Sequence, residues 1–199
     1  FKGKDKDFDF QKAYNPYDFS GLRACEARVW SFFRTFDKSM DKYKKHIMGD
    51  ASEEPMPLYI IPDRKVSLAD VREGMRNHYE GTELSMTNDP GAGVYKVPYR
   101  WRPMTFKSEG REYFNERAIA TQQTGFVLIA QMRSWLPDAV GGILWFGVDD
   151  ANTAVLTPMY TSITEIPECY RRGNGSMTEF SWTSAFWIHN WVANMAYNR

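Results

Sequence analysis

Residues 113–150, YFNERAIATQQTGFVLIAQMRSWLPDAVGGILWFGVDD, restrict the fold more than any other stretch. Two segments within it are apolar on both sides. In the first, Thr124, Phe126, Leu128 and Ala130 alternate with Gly125, Val127, Ile129 and Gln131. In the second, Ile143, Trp145 and Gly147 alternate with Leu144, Phe146 and Val148. A strand with one wet face carries polar residues at every second position. These segments do not, so both are expected to be strands covered on both sides, central in a layered fold. Just ahead of them lies a polar cluster of Asn115, Glu116, Arg117, Thr121, Gln122 and Gln123. Polar groups beside a dry sheet must be paired or must serve a ligand.

The flanking chain supplies helices and turns. DFDF at 7–10 reads as a short edge strand closed by Asn15-Pro16. A helix is expected over 21–36, with Ser20 as N-cap, a stripe of Leu22, Cys25, Val29, Phe32, Phe33 and Phe36, and Arg23, Glu26 and Arg34 opposite. LYIIP at 58–62 reads as a brief strand. A second helix over 67–79 begins at a capping box of Ser67 and Asp70, and Gly81 suits its left-handed stop. Residues 82–110 read as loop, with Tyr99, Arg100, Trp101 and Arg102 either lining a cleft or stacked on the surface. A third strand is expected over 154–162, with Pro158 favouring an edge or a bulge. Short connections imply antiparallel neighbours. A last helix, 181–198, is apolar around most of its girth and is expected to be heavily buried.

Composition excludes several classes. With 25 basic and 25 acidic residues the net charge is zero, so no long-range field favours nucleic acid or an anionic membrane. No run reaches the ~18 apolar residues of a spanning helix. Seven Trp, 11 Tyr and 13 Phe read as a core rich in rings rather than a ligand platform. Cys25 and Cys169 form neither a disulfide framework nor a metal motif, and His46, His78 and His189 share no zinc-ligand spacing. Cys25 is expected to be a buried, inert thiol. No serine-hydrolase elbow, HExxH, phosphate loop or CxxC is present. Asp149-Asp150 reads as a strand-end turn before it reads as a cation site. The Arg117 fork suits a carboxylate and Asn115 could donate to an oxyanion, but composition favours an Arg117–Glu116 or Arg117–backbone pair pinning the strand entrance. From its residues alone, the chain is a layered α+β domain with a polar cluster of undecided role.

Seven stretches add a resemblance: HYEGTELSMT (78–87), PYRWRPM (98–104), YFNERAIATQQTGF (113–126), AQMRSWLP (130–137), GGILWFGVDDA (141–151), LTPMY (156–160) and SWTSAFWIHNWVANMA (181–196). Together they resemble the dipeptidase A-like cysteine peptidases, relatives of the secernins among the N-terminal-nucleophile hydrolases. The resemblance implies part of an αββα sandwich with mostly antiparallel strands. It also implies hydrolysis of dipeptides by an autoprocessed N-terminal Cys, whose own α-amine is the base and which forms a thioester, without metal or cofactor. Cys25 and Cys169 are internal and the chain starts at Phe1, so it is expected to be the middle-to-C-terminal part of such a peptidase domain, without the catalytic nucleophile and inactive alone. Asn115 and Arg117 become the first candidates for the substrate pocket or oxyanion site, followed by Gln122, Gln123, Arg100 and Trp101. Ser85 stands where the family pattern favours Asp. The expected partner is a small peptide, with neither nucleic acid nor membrane, and a homo-oligomer stays open. An amidase of the bile-salt hydrolase or penicillin acylase kind and a non-catalytic interaction domain are the alternatives on the same scaffold.

Overall fold

The computed structural model describes residues 13–14, 17–100 and 105–197. The expected DFDF strand and Trp101 lie outside them. The chain forms two compact units, residues 1–65 with 78–118 and residues 66–77 with 119–199. Its elements are helical and antiparallel, an α+β composition.

The first unit is built on one long helical run. Asp18, rather than Ser20, caps it by accepting from Gly21 N at 2.6 Å. A turn at Phe19–Gly21 leads into a π-helical stretch, Leu22–Glu26, and then helix α1, Ala27–Arg34. The wider π turn rotates the faces relative to a 3.6-residue period. The buried stripe is therefore Leu22, Glu26, Ala27, Trp30 and Ser31, while Val29 is exposed and Cys25 half-buried. Glu26, expected on the outer face, is buried 3.7 Å from His46 Nε2. His46 lies on α2, Lys44–Ile47. Trp30, Met40, Tyr43, Ile47, Tyr79, Leu84, Met86 and Ala118 close the core. Trp30 Nε1 donates to Met40 O at 2.8 Å, so the ring is buried with its polar atom satisfied.

Two expectations fail here. LYIIP forms no strand, and Leu58 is 94% and Ile61 82% exposed. Five apolar residues without a neighbouring strand to bond have no ladder to join. Conversely, the expected loop 82–110 runs into a hairpin of β1, Thr105–Ser108, and β2, Arg111–Phe114. Glu109 and Gly110 both take left-handed φ, 49° and 74°, as a two-residue hairpin turn demands.

The second unit holds helix α3, Leu68–Met75, opened by the expected capping box of Ser67 and Asp70. Its sheet is β3, Phe126–Met132, β4, Gly142–Val148, and β5, Thr157–Tyr160, in that order and antiparallel throughout. A single turn, α4, Asp138–Gly141, joins β3 to β4. Val127 packs with Ala120, Ala151, Ala154, Met75 and Leu156. The opposite face of β3 is not covered: Phe126 is 61% and Met132 75% exposed, whereas Val127 and Ile129 are buried. The expectation of two dry faces is thus corrected, because among the described residues of this unit nothing buries the even-numbered side chains Phe126, Leu128 and Met132 of β3. The last helix, α5, Ala185–Tyr197, is also less buried than expected, with Trp191, Val192 and Met195 exposed.

The register separates the two faces of β3 by side-chain direction alone. Val127→Ala is expected to lower unfolding stability by on the order of 2 kcal/mol, and Leu128→Ala by under about 1 kcal/mol, because only Val127 is withdrawn from water. Urea unfolding of both variants measures the difference, and equal losses would contradict it.

Candidate functional site

Of the sequence-nominated residues, Arg100, Asn115 and Arg117 lie in the first unit, and Gln122 and Gln123 in the second. Arg100 is a loop staple. Its guanidinium donates to the carbonyls of Met86 at 2.9 Å, Val97 at 3.2 Å and Tyr99 at 2.8 Å, and it pairs with Asp89. So many intraloop bonds leave it little capacity for a ligand. Gln122 accepts from Thr121 Oγ1 at 3.0 Å. Gln123 is exposed. Ser85 is bonded to Thr87, Oγ to Oγ1, at 3.1 Å.

Asn115 follows β2 and is half-buried, and Glu116 and Arg117 after it enter a charged cluster that the sequence only half reveals. Glu116 pairs with Arg23, not with Arg117, and both side chains are 13% exposed. The Arg117 carbonyl accepts from Tyr79 Oη at 2.8 Å. Tyr79 is fully buried with a left-handed backbone, φ 66°, a conformation uncommon for a bulky residue. Burial holds its hydroxyl well above the usual tyrosine range, so it remains a donor. Burial also lowers the pKa of Arg23. Arg28 adds a third guanidinium, donating from Nε to Ala24 O at 2.7 Å.

Two donors in this cluster are left over. Arg23 Nε and Arg117 Nε are both buried and have no hydrogen-bond partner among the described residues. Buried donors that remain unbonded are uncommon and costly. Guanidinium N–H groups in such a setting suit a carboxylate or a developing oxyanion. Arg23 was placed on the outer face by its spacing. Only the π-helical stretch turns it inward, and no sequence signal announces that stretch.

In the second unit, Asp149 and Asp150 form the strand-end turn anticipated for them. Asp149 N donates to Gly125 O at 2.9 Å, and Asp150 O accepts from Ala154 N at 2.8 Å. Asp149 takes φ 72°, its Oδ1 accepts from Asp150 N at 2.9 Å, and its buried Oδ2 has no partner among the described residues. Among the described residues no group of His, Cys, Asp and Glu is arranged to hold a metal ion. No helix among them is long and apolar enough to cross a membrane.

Burial raises the Asp149 pKa above its ordinary value, and the neighbouring Asp150 carboxylate pushes the same way. The folded state therefore binds this proton more tightly than the unfolded chain. Stability drops as pH rises from about 4 through the raised folded value, and the whole cost stands above it. Asp149→Asn keeps the Oδ1 acceptor and tolerates the left-handed backbone. It should stabilise the protein at neutral pH, and the gain should vanish toward about pH 4. Urea unfolding at both pH values checks this, and a gain independent of pH would contradict it.

Comparison with known proteins places these features in context. The chain is similar to a probable dipeptidase B of Lactococcus lactis subsp. lactis (strain IL1403), 28% identical over 189 residues, covering 92% of this chain and 34% of the relative. It is also similar to a probable dipeptidase of Salmonella dublin, 27% identical over 154 residues, covering 77% of this chain and 30% of the relative. Dipeptidase A of Lactobacillus helveticus is 21% identical over 170 residues, covering 84% of this chain and 30% of the relative. The chain thus spans about a third of the length of the curated relatives it matches. The sequence model of peptidase family C69 matches residues 1–199, and the chain belongs to that family.

Proposed function

We propose that the chain is part of a cysteine-type dipeptidase that hydrolyses dipeptides through a thioester. The observation that carries this reading is the match to peptidase family C69 over residues 1–199, joined by relatives named as dipeptidases. In this mechanism the thiolate of an N-terminal Cys attacks the peptide carbonyl, and its α-amine takes the thiol proton. The C–N bond breaks, the amine leaves with a proton, and water hydrolyses the thioester. Cys25 and Cys169 are assigned no part in this step.

Arg117 and Arg23 are assigned to the anionic parts of the reaction. Their buried, unbonded Nε–H groups support a role in holding a substrate carboxylate or the tetrahedral oxyanion. Asn115, two residues before Arg117, is the accompanying amide donor. The proposed architecture is an αββα sandwich. It is supported by the uncovered apolar face of β3, which asks for a second layer, and by the greater length of the relatives.

In the full-length peptidase, Arg117→Ala should lower kcat/KM for dipeptides by about 100-fold or more while the unfolding midpoint barely moves. N-acylated amino acids, which lack a free α-amine, should remain poor substrates beside dipeptides. Equal losses of activity and stability would make Arg117 structural, and preference for N-acylated substrates would favour an amidase.

A further inference from the structure

We propose that a cleft in the second unit binds a small carboxylate carrying an apolar or aromatic group. The cleft encloses about 450 Å³, within the range of small-ligand sites. Phe146 and Val148 of β4 and Phe186 and Trp187 of α5 supply its apolar lining. Arg171 and Arg172 also line it, and among the described residues no acidic side chain does. The apolar lining and the two arginines in it can discriminate twice once the guanidiniums turn to a ligand. They reject a bare inorganic anion, which would lose its hydration without an apolar contact in return. They also favour a carboxylate over a neutral amphiphile, because the planar Arg fork matches its two oxygens.

The cleft is held open by its own frame. Asn174 Nδ2 donates to Glu168 O at 2.9 Å, and its Oδ1 accepts from Ser181 Oγ at 2.6 Å and Thr183 Oγ1 at 3.1 Å. Trp187 Nε1 donates to Ser176 O at 3.0 Å and Glu179 O at 2.9 Å, fixing the indole as a wall. Gly175 takes φ 80°, and a Cβ there would stand 3.0 Å from both Glu179 O and Trp187 Cδ1. Only glycine lets the loop close on the ring. Tyr170 packs edge-on against Phe146 at 5.3 Å and stands 3.1 Å, hydroxyl to hydroxyl, from Thr157. A site ordered in advance loses little entropy on binding.

The charge is available. The Arg172 side chain is exposed and makes no hydrogen bond or ion pair among the described residues, and the Arg171 guanidinium makes only a long bond, 3.5 Å, to Ile166 O. The C-terminal residue of a short peptide, with an apolar side chain and a free carboxylate, carries both features the cleft recognises. The site stands on its own geometry, whatever reaction the family activity takes here.

The test titrates the full-length protein with N-acetyl-L-phenylalanine and, separately, with its primary amide. Binding is followed at the Trp187 indole N–H resonance, assigned by its loss in Trp187→Phe. The acid should shift this resonance with a dissociation constant of about 1 mM or tighter, and the amide should bind about tenfold more weakly. Arg172→Gln should erase the difference between the two. Met177→Glu, at a lining position 90% exposed, should weaken the acid and spare the amide. Both substitutions fall on exposed side chains, so the fold is retained. Equal affinity of the unaltered chain for acid and amide would make the cleft an apolar groove for a protein segment and overturn the proposal. So would a Trp187 resonance that stays fixed at about 10 mM ligand.

Discussion

The first unit depends on satisfying one buried hydroxyl. Tyr79 brings a large ring into a core with Trp30, Met40, Ile47 and Leu84, and its hydroxyl has no access to water. Leaving that group unbonded would cost roughly 1–3 kcal/mol. It donates to the Arg117 carbonyl instead. The strained left-handed backbone at Tyr79 persists because ring packing and this bond together outweigh it. The position of the Asn115–Arg117 segment is therefore set through its main chain, which leaves the Arg117 side chain uncommitted. Arg23 reaches the same neighbourhood only because the π-helical stretch brings it inward to Glu116.

The second unit shows a different economy of burial. One face of β3 packs on residues that include Met75 of α3, and the other presents Phe126, Leu128 and Met132 outward. This row of exposed apolar side chains is the surface that the proposed second layer would cover. The expectation of a doubly covered strand therefore fails for β3: its composition is apolar on both faces, but among the described residues of this unit only one face is covered. The Asp149–Asp150 turn closes the same sheet at its β4 end and holds a carboxylate whose burial disfavours its charge.

What could be read in advance follows from how local each signal is. The Ser67–Asp70 capping box is written in four residues, and α3 begins where it says. The β3–β4 pairing follows from two apolar runs and a short connection, and its register places Phe126 opposite Val148. The β1–β2 hairpin was missed, although Glu109-Gly110 between TFKS and REYF carries a two-residue turn signal. The π-helical stretch has no such local mark. Glu26 stands against His46 and Arg23 against Glu116, so Asn115 and Arg117 could be nominated from the sequence while Arg23 could not. LYIIP had strand composition but no partner strand, and composition without pairing left it exposed.

The central claim is that this family C69 chain serves a peptidase whose nucleophile is an N-terminal cysteine. N-terminal sequencing with intact mass of the mature, full-length protein tests it most directly. The account expects a processed N-terminus that begins with Cys, from a residue other than Cys25 or Cys169. A mature protein that begins with any other residue would contradict the thioester mechanism and leave the cluster of Arg23, Tyr79, Glu116 and Arg117 as a structural device.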